Sequence, residues 1–224
     1  MSPSTDGSAD RSSAVGGVGD LWARDPEQYW AAIDQAVSVA GLDAPVLALD
    51  RAALEHNAAD LLRRSAGVPP IRIASKSLRV RSVISDLATR TGFHGVLAYD
   101  LAEAHWLATS TAIEDILLGY PSVRREALAA FVTDEVATSR VSLLVDSVDQ
   151  LDIIDAVAPP ASRRPIRVAI DLDASYRLLG GRVHIGGVRR SPVHTRRDAV
   201  ELARIIESRN GFHLVGVMSY ERRW

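Results

Sequence analysis

The stretch IRIASKSLR, Ile71–Arg79, decides the fold. Ile71–Ser75 reads as an apolar strand, and the turn that follows is the informative part. A dinucleotide-binding sheet leaves its first strand through Gly-x-Gly-x-x-Gly, because the backbone there must approach a pyrophosphate closely. Here the turn is Ala74-Ser-Lys-Ser-Leu-Arg79, without a glycine. A (β/α)8 barrel makes no such demand on its turns and gathers its chemistry where strands end. The barrel is therefore the favoured α/β architecture.

The flanking sequence carries the same rhythm. Apolar strands are expected at Gly95–Tyr99, Ile116–Tyr120, Val141–Val145, Ile166–Leu172 and His213–Ser219. They are rich in Val, Ile and Leu without clean alternation, the pattern of parallel strands buried on both faces. Amphipathic helices fill the gaps at Val80–Thr91, Leu101–Thr111, Arg124–Ser139, Val148–Val157 and Arg197–Ser208. Asp100-Leu-Ala-Glu103 and Ser147-Val-Asp-Gln150 fit a capping box directly after a strand. Six such strands make an incomplete (β/α)8 barrel, since closure needs eight. Upstream, Asp25-Pro26-Glu27 starts a helix that stops at Gly41, Pro45–Leu49 reads as a short strand, and Asp50 caps a helix to Gly67. The expected organisation is a disordered tail over 1–24, a helix and linker over 25–43, and a partial barrel over 44–224.

A formal net charge of -2 over 224 residues gives no electrostatic footprint for nucleic acid or an anionic membrane. No run of eighteen apolar residues exists, and no membrane span is expected. The Ser/Gly/Asp-rich start lacks the basic and apolar segments of a secretory signal, so the expected location is cytoplasmic. The absence of cysteine excludes disulfides, thiolate metal sites and thiol nucleophiles.

Of 26 basic residues, 25 are arginine and one, Lys76, is lysine. A bias toward arginine explains the surface. It does not explain the survivor, because a guanidinium stays charged and cannot attack a carbonyl, whereas an amine can. Lys76 sits at the carboxyl end of the first strand of the series, where a barrel keeps its chemistry. The plainer alternative is a lysine snorkelling out at a strand terminus.

The stretch Ala44–Asn57, APVLALDRAALEHN, together with Lys76 about two dozen residues on, resembles the opening of alanine-racemase-like enzymes of pyridoxal-phosphate fold type III. Ala98-Tyr99, Glu103-Ala104, Gly119-Tyr120-Pro121 and Gly187–Pro192 are most similar to the D-threonine aldolase, D-serine dehydratase and amino acid deaminase/aldolase branch. The resemblance covers about residues 44–221. It implies that pyridoxal 5'-phosphate is held covalently by Lys76. It implies that Tyr220 stands where racemases put a histidine against the cofactor ring, a half-buried strand aromatic being the alternative. An arginine near the cofactor's phenolic oxygen is implied among Arg177, Arg182, Arg189 and Arg190, with Arg177 and Arg189 taken as cofactor contacts. The family's phosphate loops, last two barrel strands and C-terminal β-domain follow the position matching Tyr220, so a truncated chain with no metal site of its own is expected. The implied activity is a lyase, aldolase or deaminase/dehydratase, for β-hydroxy amino acids, with a homodimer as a further implication.

Other features have plainer readings. Asp171 and Asp173 are too few for a metal and suit capping. Gly180-Gly181 and Gly186-Gly187 suit loop turns, since no helix starts immediately after either. His94, His105, His184, His194 and His213 lack ligand spacing, and His56 and Asn57 suit packing on a helix. Two further function classes stay open: a non-catalytic, single-domain pyridoxal-phosphate carrier, and a complete open α/β protein without a cofactor.

Overall fold

In the computed structural model the described residues are 25–66, 69–178, 183–186 and 190–220, with side chains described outside 176–178 and 183–186. The chain divides into two compact units, Met1–Pro69 and Pro70–Trp224. The tail expected over 1–24, Arg182, Arg189 and the pair Gly180-Gly181 lie outside the described residues.

In the first unit, α1 (Pro26–Val39) starts as its sequence requires. Pro26 occupies the first turn, and the Asp25 side chain accepts a hydrogen bond from the Gln28 amide at 3.0 Å. Asp50 caps α2 (Arg51–Ser65) by accepting from the Ala53 amide at 3.0 Å. Its second oxygen accepts the Tyr29 hydroxyl at 2.9 Å, tying the two helix starts together. The strand expected at Pro45–Leu49 does not form. A strand needs a neighbour for its N–H and C=O groups, and the described residues offer none here. Leu47 is 89% exposed.

The second unit holds a six-stranded parallel sheet: β1 (Ile71–Ala74), β2 (Phe93–Ala98), β3 (Ile116–Leu118), β4 (Val141–Val145), β5 (Ile166–Leu172) and β8 (Phe212–Ser219). Adjacent strands follow one another in chain order without reversal, β1-β2-β3-β4-β5-β8. A doubly wound sheet reverses direction at a switch point; a barrel does not. Every β4 residue is buried, as a strand covered on both faces must be.

Around the sheet run α3 (Ser75–Leu78), α4 (Arg81–Ala88), α5 (Leu101–Ser110), α6 (Arg125–Val132), α7 (Glu135–Arg140), α8 (Val148–Val157) and α9 (Arg196–Ser208). The core between helices and sheet is made by fully buried side chains such as Leu107, Ile116, Phe131, Leu151, Ile166 and Ile206. Each contributes about 1.5–3 kcal/mol by leaving water. Between β5 and α9 lies an antiparallel pair, β6 (Tyr176–Leu178) and β7 (Val183–Gly186), which the sequence had not marked as strands.

The single helix expected over Arg124–Ser139 is two. The Thr133 hydroxyl donates back to the Ala130 carbonyl at 3.0 Å, and Asp134 turns extended and caps α7 through the Ala137 amide at 3.0 Å. Side chains of this type offer the backbone an alternative to continuing the helix. Capping box chemistry is also redistributed. Asp100 caps α5 through the Glu103 amide, but Glu103 accepts from the Tyr99 amide. Ser147 makes no cap bond, and Gln150 instead clasps Asp146. A full capping box forms at Thr195 and Asp198, ahead of α9.

Two predictions belong to this frame. The Ala137 amide and His105, whose ring nitrogen lies 3.0 Å away, hold the Asp134 carboxyl below the usual carboxylate range. A depressed folded value means stability that is present above the unfolded value near 4 and lost as pH falls through the folded one. Asp134→Ala is expected to cost about 1 kcal/mol at pH 7. In urea titrations the gap between variant and parent should close as pH drops below 4. Among the described residues, the outer edges of β1 and β8 are unpaired, and Val217 on β8 is 58% exposed. Long apolar edges pair with other chains. Self-association is therefore expected in size-exclusion chromatography with light scattering, and a monodisperse monomer would refute it.

Candidate cofactor site

At the carboxyl end of the sheet a cleft of about 390 Å³ is lined from β1, β2, β3, β8 and the loop before α9. Its lining includes Lys76, Tyr99, Tyr120, Arg190 and Tyr220, with Leu97, Leu117 and Met218 as apolar wall. Arg72, near the start of β1, also lines it but is paired with Asp115, to which its Nε donates at 2.9 Å; none of the lining residues is a carboxylate. A larger hollow, of about 700 Å³, lies elsewhere and does not hold the lysine.

Lys76 reaches this cleft because β1 ends at Ala74 and the chain turns at once into α3. Ser75, fully buried, fixes that turn. Its hydroxyl donates to Glu103 Oε2 at 2.7 Å and accepts from the Tyr99 amide at 3.1 Å. One buried hydroxyl thus joins the ends of β1 and β2 to the first turn of α5. Lys76 itself is exposed, and its Nζ donates a long, 3.4 Å hydrogen bond to Tyr120 Oη.

Arg190 is held on three sides. It donates from Nε to Asp171 Oδ2 at 3.1 Å and from Nη2 to the Gly119 carbonyl at 2.6 Å, and its guanidinium lies 4.8 Å over the Tyr120 ring. Tyr99 meets the same ring edge-on, at 5.7 Å and 74°. Burial pushes the Asp171 carboxyl above its ordinary range, against the pull of Arg190. Asp171 Oδ1 has no partner among the described residues.

Of the four residues named from the sequence, the structure brings Lys76 and Tyr220 to one cleft. Arg177 lies on β6, in the separate antiparallel pair, and its side chain is outside the described set; so is all of Arg189. Arg190 is the described arginine of the group Arg177, Arg182, Arg189 and Arg190 that enters the cleft. The reading of Asp171 as a cap is corrected, since it anchors Arg190. Asp173 does close a turn, accepting from the Ser175 amide at 2.8 Å. His94 and His105 pair with Asp115 and Asp134. Among the described residues no group of three or more His, Asp or Glu could hold a metal, and no helix is long and apolar enough to cross a membrane. Tyr120, Ser75 and Glu103 were not picked out as site residues. The available signals were their position just past a strand or in a first helical turn and, for Tyr120 and Glu103, their place in the motifs that carry the family resemblance.

With that geometry in view, the family described as alanine racemase, N-terminal domain, matches residues 49–223. The chain belongs to this family. Its sheet is an incomplete (β/α)8 barrel of the alanine racemase N-terminal type, with α/β crossovers throughout. A solved D-threonine aldolase from Filomicrobium marinum superposes with a TM-score of 0.60 at 21% identity, over 78% of this chain and 43% of its own. The chain thus spans less than half the length of that enzyme, and the likeness is one of fold. No curated protein matches the sequence.

Proposed function

We propose that this alanine racemase-type barrel binds pyridoxal 5'-phosphate through Lys76 and belongs to a lyase that cleaves or dehydrates β-hydroxy amino acids. The observation that carries the reading is the cleft itself. The chain's one lysine opens onto a space lined by Arg190, three tyrosines and no carboxylate. That donor set fits a planar, polyanionic aldehyde: an amine for the carbonyl carbon, aromatic rings for the flat face, guanidinium for the anionic oxygens. When bound, the cofactor supplies an electron sink for the bond broken in the substrate.

The residues have separable tasks. Lys76 offers an amine nucleophile and, once released, a base within the cleft. Arg190, anchored by Asp171, presents a fixed positive charge that attracts an oxyanion without having to reorganise. Tyr220, 47% exposed at the end of β8, adds a further aromatic ring to the lining. The apolar wall of Leu97, Leu117 and Met218 lowers the local dielectric, which strengthens each of these interactions.

The test is direct. Titration with pyridoxal phosphate should produce a near-visible absorbance band, and borohydride followed by peptide mass mapping should place the label on Lys76. Incubation with the stereoisomers of threonine and serine should then release an aldehyde, or ammonia and a 2-oxo acid. Labelled protein without turnover would favour the carrier class, and unlabelled protein would overturn the cofactor reading.

A further inference from the structure

We propose that Tyr120 is a positioning residue: its hydroxyl holds the Lys76 amine at one point of the cleft mouth, ready to attack a carbonyl. The inference rests on the cofactor reading above and deepens it. Lys76 is exposed and carries four rotatable bonds, so an unrestrained amine would sweep a wide volume and lose rotamer entropy on every approach to a carbonyl carbon. Among the described residues, its Nζ donates one side-chain hydrogen bond, to Tyr120 Oη at 3.4 Å.

Tyr120 is itself unusually well fixed for a side chain that is 40% exposed. Arg190 covers one face of its ring at 4.8 Å. Tyr99 packs against its edge. The same Arg190 grips the carbonyl of Gly119, the residue directly before it, and is in turn anchored on buried Asp171. A chain of contacts therefore runs from the interior of β5, through Asp171 and Arg190, to the Tyr120 ring and out to the lysine amine. Gly119 has little latitude, since a Cβ there would lie 3.0 Å from the Ala98 carbonyl. The backbone that carries Tyr120 is thus seated close against β2.

A restrained amine and a free one differ in rate, not in what they finally form. As the Lys76 nitrogen adds to an aldehyde carbon the C–N bond forms, the carbonyl pair moves to oxygen, and that oxygen leaves as water with two protons from the amine. Tyr120 enters neither the bond made nor the bond broken. It fixes where the nitrogen starts, and misplacement of a reacting atom is costly in rate.

The experiment follows coupling of pyridoxal phosphate to Lys76 by stopped-flow absorbance and confirms the site by borohydride reduction and peptide mapping. For Tyr120→Phe, the limiting coupling rate should fall about tenfold at saturating reagent, with the half-saturating concentration little changed. A merely structural role would move the melting temperature or the half-saturating concentration instead. Arg190→Lys keeps a positive charge but loses the planar stack and the fork on Asp171 and Gly119. It should slow the limiting rate as well, and it provides the second test should Tyr120→Phe fold poorly. Coupling by Tyr120→Phe, or by Arg190→Lys, at the parent's limiting rate would overturn the positioning role while leaving the cofactor reading intact. Failure of the parent itself to couple at Lys76 would overturn both.

Discussion

Lys76→Ala and Lys76→Arg are each expected to abolish covalent capture of pyridoxal phosphate completely, with no near-visible band and no borohydride-stable label on any peptide. The two substitutions remove different things. Alanine removes the side chain beyond Cβ, whereas arginine keeps the length and the charge but replaces the amine by a guanidinium that does not lose its proton. Equal loss in both would isolate nucleophilicity as the property required. Neither should change folding: Lys76 is exposed, and the buried bonds at this turn belong to Ser75 and Glu103. Far-ultraviolet circular dichroism and the melting temperature should match the parent. A label that persists in Lys76→Arg would show that capture is adventitious, at the chain's amino terminus, and would remove the chemistry assigned to the cleft.

Gly95→Ala should produce the largest loss of stability among single methyl additions in the sheet. Gly95 lies in β2 with φ at +71°, a conformation that costs a residue with a side chain about 1–2 kcal/mol. Its added Cβ would also stand 2.0 Å from the Asp115 carbonyl oxygen. The neighbour is backbone, and it accepts the Val96 amide at 2.9 Å, so it cannot withdraw without giving up that bond. Together these predict a loss of about 3 kcal/mol or more. For a chain of this size that is a fall in melting temperature of roughly 6–12 °C. Gly216→Ala is the matched control: a Cβ there meets nothing within 4 Å, and the melt should stay close to the parent's.

The contrast between those glycines illustrates what the sequence disclosed. Val141–Val145, Ile166–Leu172 and Val148–Val157 appear in the structure with the bounds read from their composition. Continuous apolar runs and a helix on a 3.6-residue repeat are local patterns, and local patterns are legible. The strand expected at Pro45–Leu49 has equally good composition but no partner, and pairing is not written in the run itself. The break before α7 depends on Thr133 and Asp134 outcompeting a helix that their neighbours favour. The antiparallel pair β6–β7 escaped notice because its strands are short and set among arginines and glycines.

The site divides the same way. Lys76 stood out because it is alone of its kind, a property of the sequence as a whole. Arg190 could not be separated from Arg177, Arg182 and Arg189, because its selection depends on Asp171, nineteen residues away and buried in a strand. Tyr120 and Ser75 act through partners more than twenty residues distant. Such pairings become visible only when the crossovers have brought the strand ends together.

The unreversed strand order has a consequence for how such a protein changes over generations. Each crossover returns the chain to the same end of the sheet, so Lys76, Tyr99, Tyr120 and Tyr220 each stand one or two residues beyond a different strand. Framework and polar lining therefore occupy largely separate letters of the sequence. Val96, Ile116, Val141 and Ile166 hold the sheet and are fully buried, while Lys76, Tyr99, Tyr120 and Tyr220 lie in the turns after it, and the strands add only the apolar wall of Leu97, Leu117 and Met218. A turn behaves as an exchangeable cassette, open to insertion or replacement at little cost to its neighbours. On the function proposed above, altered substrate preference in descendants of this chain should accordingly be found in the segments that follow β2, β3 and β8, on a sheet that stays the same.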